Sequence, residues 1–306
     1  MGEVKKRILV ASIAVPTVFL VLTSYTACCV LLLVAITLCY REYRTMAMIM
    51  MRMVTGQEEK EFIRQLQGHT AAFVFHLVLP VYCLTGTATD LSWDLVVGLL
   101  LQACGLMTLR IWQYKQAREN LPPFTEEPPV LPRLRVLAFQ AVSYDLFFSL
   151  FVTLTLSTGL HILQLQERAQ VLICWFGATW QTDNGCLISG RMFGKRKFAQ
   201  FISPNKTWEG VLGGYLLSLC TMLLIHLLIP GVLTPSWSFL QIALSTLCFA
   251  TTAVIGDLGE SFVKRAAHVK DASDLIPGHG GLLDRVDSLC LGCPVAFLLV
   301  KAFHIG

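Results

Sequence analysis

Apolar residues in this chain come in blocks of roughly 17 to 22, the length that carries an α-helix across the hydrocarbon core of a bilayer. Repeated along the whole sequence, they predict an all-α fold, a polytopic transmembrane helical bundle. Composition agrees. Of 306 residues, 55% are hydrophobic and only 14% charged, with mean hydropathy +0.62, whereas soluble domains carry roughly a quarter charged residues. About nine spans are expected, at 8–23, 26–40, 69–85, 93–111, 136–158, 169–189, 208–229, 238–256 and 284–303. The first two meet at a tight turn near Ser24-Tyr25, and the sixth is interrupted by Gln181, Asp183 and Asn184. The opening stretch has features of a signal peptide, but strict alternation of the spans needs it as a retained first span.

The connecting segments set the orientation. Of the 24 lysines and arginines, all but Arg168 and Lys301 fall in the N-terminal stretch or in every second connection. Basic residues stay on the cytoplasmic side, so the N-terminus is expected in the cytoplasm and the C-terminus outside. Three regions follow: 1–68, a two-span hairpin with an interfacial segment; 69–135, two spans and a linker broken by Pro122-Pro123 and Pro128-Pro129; and 136–306, the C-terminal catalytic membrane domain. Met46 to Met53 reads as a helix continuing out of the second span or lying in the interface. The eleven cysteines show no framework of paired spacings and read as small apolar packers, Cys290 and Cys293 included. His69, His76, His161 and His304 lie near span ends without charged neighbours in the sequence and read as non-functional.

Chemistry gathers in two stretches on the cytoplasmic side. The first is 256–287, where ten charged residues sit at the junction of two apolar spans. If Asp257 to Arg265 is helical, Asp257, Ser261 and Lys264 share one face at i, i+4 and i+7. Asp284 and Asp287, at i and i+3, share a face on the next helix. Between them Pro277-Gly278-His279-Gly280-Gly281 is backbone that can approach a ligand closely. The second stretch is 182–210, with Asp183 inside an apolar span, a basic cluster from Arg191 to Lys197, and Ser203-Pro-Asn-Lys-Thr207 at a helix start. Ser, Lys and Thr beside a helix N-terminus suit phosphate. Taken singly, the basic cluster reads as a topology signal and the aspartates as solvated helix ends. Together they form a site, and clustered carboxylate oxygens favour a hard ion such as Mg²⁺ over zinc.

At these stretches the chain resembles the phosphatidate cytidylyltransferases, or CDP-diacylglycerol synthases. Their signature matches at Ser261, Lys264, Arg265, Lys270, Asp271, Pro277, His279, Gly280, Gly281, Asp284, Arg285 and Asp287, preceded by Gly256-Asp257, and Ser203 to Gly210 looks like their SPxKTWEG. The resemblance is strong over about 170–290 and covers the earlier residues only in span pattern. It implies an enzyme joining CTP and phosphatidate into CDP-diacylglycerol and diphosphate. Mg²⁺ is the implied cofactor, with K⁺ as a candidate neighbour, and the implied assembly is a homodimer in the bilayer. No nucleic acid is implied. The wording of the signature is bacterial in style, which points to a bacterial inner membrane with the site facing the cytoplasm.

The expected roles are these. Asp257, Asp284 and Asp287 hold the metal, with Asp183 as a further ligand or an organiser of the cations. Lys264 and Arg265 bind phosphate and Ser261 orients one. Ser203, Lys206, Thr207, Arg191, Lys270 and Arg285 contact substrate, and His279, Gly280 and Gly281 let backbone amides approach the triphosphate. One departure is visible. After Asp183 the family continues with a small residue and Ala-Tyr, whereas this chain has Asn184-Gly185-Cys186-Leu187. A CTP-dependent polyprenol or phytol kinase, or a cytidylyltransferase for another lipid, is the alternative enzyme; an ion-coupled transporter is the alternative of another class.

Overall fold

Long apolar runs without internal proline give long helices, and the computed structural model consists almost entirely of them. It describes residues 25–53, 55, 72–77, 80, 91–119, 130–163, 165, 168–228, 238–276 and 280–303. The expected first span, most of the third, and His69, His279 and His304 lie outside the described residues. Helix α1 is Tyr25–Met53, α2 Leu91–Glu119 and α3 Val130–Phe148. A five-residue π-turn, Ser149–Thr153, links α3 to α4, Leu154–Ile162. Then come α5, Arg168–Phe193; a two-stranded antiparallel hairpin of β1, Lys197–Ala199, and β2, Ser203–Thr207; and α6, Trp208–Leu228. Helices α7, Phe239–Ala266, α8, Leu283–Cys290, and α9, Gly292–Ala302, complete the chain.

Four helical stretches are long and apolar enough to cross a membrane among the described residues: Thr26–Met53, Leu131–Ile162, Trp208–Leu228 and Phe239–Ala266. The architecture is that of an all-α membrane protein. The second span and the methionine-rich segment after it are one helix, the first of the two arrangements expected, because nothing between residues 40 and 53 breaks the ladder. Helix α7 runs ten residues past the expected span end at 256, so Asp257 to Ala266 are helical, as the shared face of Asp257, Ser261 and Lys264 requires. The stretch 284–303 divides at Leu291 into α8 and α9.

Small residues set the closest packing. A Cβ on Gly185 would lie 2.7 Å from the Gly213 carbonyl oxygen, one on Gly214 2.7 Å from the Thr182 carbonyl oxygen, and one on Gly210 2.8 Å from that of Cys186. Helices α5 and α6 therefore touch backbone to backbone, the seam that small residues give membrane helices. Within the stretch that departs from the family pattern, Gly185 lies in this seam, while Asn184 is exposed and donates to Gln181 Oε1 at 3.0 Å; nothing in the structure explains Cys186 in place of Tyr. Around this seam one apolar core gathers Trp175, Met222, Phe249 and Phe297; a second, built from other helices, gathers Tyr40, Phe148, Val263 and Leu283.

Candidate active site

The hairpin between α5 and α6 owes its shape to the run Thr207-Trp-Glu-Gly210. Thr207 Oγ1 accepts from Gly210 N at 3.1 Å and caps α6. Trp208 meets Phe198 edge to face with ring centroids 4.6 Å apart. Glu209 folds back, accepting from the Lys195 and Arg196 amides at 3.1 Å each and from Arg196 Nε at 3.1 Å. Gly210 supplies the close approach to α5. The motif thus fastens a short hairpin onto a membrane helix, and Ser203, Asn205 and Lys206 are carried to the edge of a cavity.

That cavity has a volume of about 440 Å³, and its walls come from α5, the hairpin, the start of α6, α7, α8 and Asp271 between the last two. Helix α5 contributes Asp183, the hairpin Ser203, Lys206 and Thr207, α7 Asp257 and Lys264, and α8 Asp284, Arg285 and Asp287. The two stretches singled out in the sequence meet here. Lys206 Nζ lies 2.6 Å from Asp257 Oδ2, a salt bridge across the hairpin–α7 boundary. Ser261 Oγ donates to Asp257 Oδ1 at 3.2 Å, one helical turn away. Lys264 Nζ donates to Asp284 Oδ1 at 2.7 Å and also pairs with Glu260, which is buried at 1% exposure. Asp284 Oδ2 accepts from Ala272 N at 2.9 Å and Gly281 N at 2.7 Å. Asp287 Oδ1 accepts from its neighbour Ser288 N at 2.7 Å. A Cβ on Gly256 would stand 2.2 Å from the Asp287 carbonyl oxygen, so α7 and α8 are in backbone contact beside these carboxylates.

Other expected residues stand apart from the cavity wall. Arg265 is exposed and donates through Nε to the Ile202 carbonyl at 3.3 Å, tying α7 to the tip of the hairpin. Arg191 and Lys270 are exposed on the surrounding surface. Gly280 takes φ +79°, the left-handed region that glycine adopts freely, and forms a bridge with Ile276. Asn205, Cys186, Asp271 and Ser288 line the cavity although sequence reasoning assigns them no role of their own. Asp271 stands in the signature itself; the other three carry no signal of their own.

The donor chemistry suits a hard divalent cation: Asp183, Asp257 and Asp287 offer carboxylate oxygens, and no histidine lines the cavity among the described residues. Among those residues no three acidic, histidine or cysteine side chains converge on one point. Asp257 is held by Lys206, and Asp284 by Lys264 and two amides.

Sequence reasoning also missed a second buried polar group. Arg110 donates to Asp145 through Nε at 2.7 Å and Nη2 at 3.1 Å, and through Nη1 to Gln113 at 2.9 Å. His76 Nε2 stands 3.7 Å from Asp145 Oδ1, and Gln102 Nε2 donates to Ser149 Oγ at 2.7 Å. The reading of His76 as a residue without charged neighbours is therefore corrected. Its partners come from α2 and α3, too far along the chain to be seen from its own span.

Comparison with known proteins adds an independent line. A family model described as the cytidylyltransferase family matches residues 5–303. A phosphatidate cytidylyltransferase of Haemophilus influenzae is 41% identical over 124 residues, 40% of this chain and 43% of that protein. One of Pseudomonas aeruginosa is 39% identical over 158 residues, 51% of this chain and 57% of its own. One of Bacillus subtilis is 40% identical over 124 residues, 40% and 45% respectively. The chain thus spans about half the length of the curated relatives it matches.

Proposed function

Because the chain belongs to the cytidylyltransferase family, we propose that it catalyses CTP + phosphatidate → CDP-diacylglycerol + diphosphate at a membrane surface. The observation that carries this reading is the cavity itself, where Lys206 and Lys264 from two different elements stand among carboxylates in a space of about 440 Å³. The lipid's phosphate monoester attacks the α-phosphorus of CTP and diphosphate departs. That nucleophile is already anionic near neutral pH, so the site needs no strong base. The barrier is repulsion between polyanions and the entropy of bringing them into line.

In this reading Lys206 and Lys264 neutralise phosphate oxygens, and Ser203 and Thr207 sit beside Lys206 to orient them. Phosphate competes with Asp257 for Lys206, which frees that carboxylate. Asp183, Asp257 and Asp287 would hold Mg²⁺, with K⁺ as a candidate neighbour. When bound, the divalent ion offsets negative charge on both phosphates. Asp284, already committed to Lys264 and the 272–281 loop, sets the position of that lysine. Arg265 acts through the hairpin it holds. We further propose a homodimer in a bacterial inner membrane with the cavity on the cytoplasmic side, supported by the placement of the basic residues.

The test is a labelled-CTP assay with phosphatidate vesicles and purified protein. CDP-diacylglycerol should form and EDTA should stop it. Product from a lipid alcohol but not from phosphatidate would overturn the reading in favour of a kinase.

A further inference from the structure

We propose that Glu42, on the N-terminal helix α1, is a positioning residue for this reaction: it clamps the signature loop and the first turn of α8. The assignment rests on the function proposed above. Glu42 is 5% exposed and far from every catalytic segment in the chain. Its Oε1 accepts from Leu282 N at 2.9 Å and from Ser273 Oγ at 2.6 Å, and its Oε2 accepts from Leu283 N at 2.7 Å. Ser273 Oγ in turn accepts from Leu275 N at 3.2 Å. One carboxylate therefore fastens both sides of the loop that runs from Asp271 to Leu282.

Helix α8 has no cap from its own N-cap residue, Leu282. Two of its first amides are satisfied instead by a carboxylate from another helix. Negative charge belongs at that end, where orphan N–H groups and the helix dipole both favour it. Charge-assisted hydrogen bonds in a buried setting are strong and directional. The turn fixed in this way carries Asp284, and the same short helix carries Arg285 and Asp287. Glu42 thus sets where the α8 carboxylates point without touching substrate.

The loop sequence fits this role. A Cβ built on Gly281 would fall 2.7 Å from Glu42 Oε2 and 2.8 Å from Oε1. Only a residue without a side chain lets the Glu42 carboxylate reach the amides beyond it. The second glycine of the His279-Gly280-Gly281 run is accordingly a docking space for Glu42, in addition to any part the loop plays toward substrate.

The experiment pairs turnover with amide exchange in the full-length protein in lipid nanodiscs. For Glu42→Gln, kcat should fall on the order of 100-fold, the cost of about 1 Å of misplacement at reacting groups, with KM for phosphatidate nearly unchanged. Glu42→Asp keeps the charge and should recover part of the loss. Hydrogen exchange of peptides covering 280–290 should quicken on the order of ten-fold in Glu42→Gln, while exchange in α5 and α6 stays as in the wild type. Wild-type turnover with wild-type exchange in that variant overturns the clamp. So does rapid exchange of the Leu282 and Leu283 amides in the unaltered protein, a measurement that needs no variant to fold. If the wild type makes no CDP-diacylglycerol, the proposed reaction is what fails, and exchange alone decides the clamp.

Discussion

Arg110 and Asp145 meet in a buried nest between α2 and α3, whereas Lys206 with Asp257 and Lys264 with Asp284 meet along the wall of an open cavity. In the nest both side chains are under 10% exposed; a void of about 20 Å³ adjoins the pair on one side, and a shallow groove of about 220 Å³ with mostly apolar walls passes Arg110 on the other. The guanidinium makes two bonds to one carboxylate and a third to Gln113. In the cavity Lys206 has one short bond to an aspartate and Lys264 is shared between Asp284 and Glu260, and both aspartates line about 440 Å³ of accessible space, so a polyanion can compete for these ammonium groups. A charged group inside a membrane protein is costly in either case. The difference lies in whether the pairing is closed, which makes it structural, or open, which makes it a place for a ligand.

The contrast can be broken by substitution. The largest effect belongs to the nest. Arg110→Met leaves Asp145 buried without its partner and should cost about 3–5 kcal/mol of stability, read as a lowered unfolding midpoint in detergent. Asp257→Asn should do the opposite, leaving the midpoint near wild type while kcat falls roughly 10²–10³-fold, the scale seen when one electrostatic contributor to a transition state is removed. If Asp257→Asn melts the protein or Arg110→Met selectively stops catalysis, the division between closed and open pairs fails. A third variant sharpens it: Arg110→Met with Asp145→Leu replaces the pair by apolar volume and should recover most of the lost stability, because the penalty came from the stranded charge. The smallest effect is expected at Lys115 and Glu119, an exposed pair 3.7 Å apart and one turn apart on α2. Lys115→Ala should change stability by only about 0.3–0.5 kcal/mol, within the error of most melts.

How much of this could be read beforehand follows from where the partners sit in the chain. The membrane class was legible because span length is a local property. Asp257, Ser261 and Lys264 could be placed on one face because helical periodicity alone does so, and Asp284 and Asp287 likewise. The Thr207-Trp-Glu-Gly210 run was recognisable, but its role as a fastener for the hairpin was not, since Glu209 bonds backward to Lys195 and Arg196. Glu42 was invisible for a stronger reason. Flanked by Arg41 and Arg44, it looks like an ordinary solvated residue at a span end, and its partners lie more than 230 residues away. Arg110 was read as one more cytoplasmic charge, and Asp145 drew no notice within its apolar span. Pairings between distant helices leave no periodic trace in either partner.

The contact at Gly256 has a consequence for how the cavity tolerates change. At that point the two backbones rest against each other where a side chain is missing. The spacing between Asp257 and Asp287 is therefore gauged by an absence. Adding one methyl group at 256 would remove neither carboxylate and alter no charge, yet it would wedge the two apart. Such a variant would carry every reacting group and still be miscalibrated.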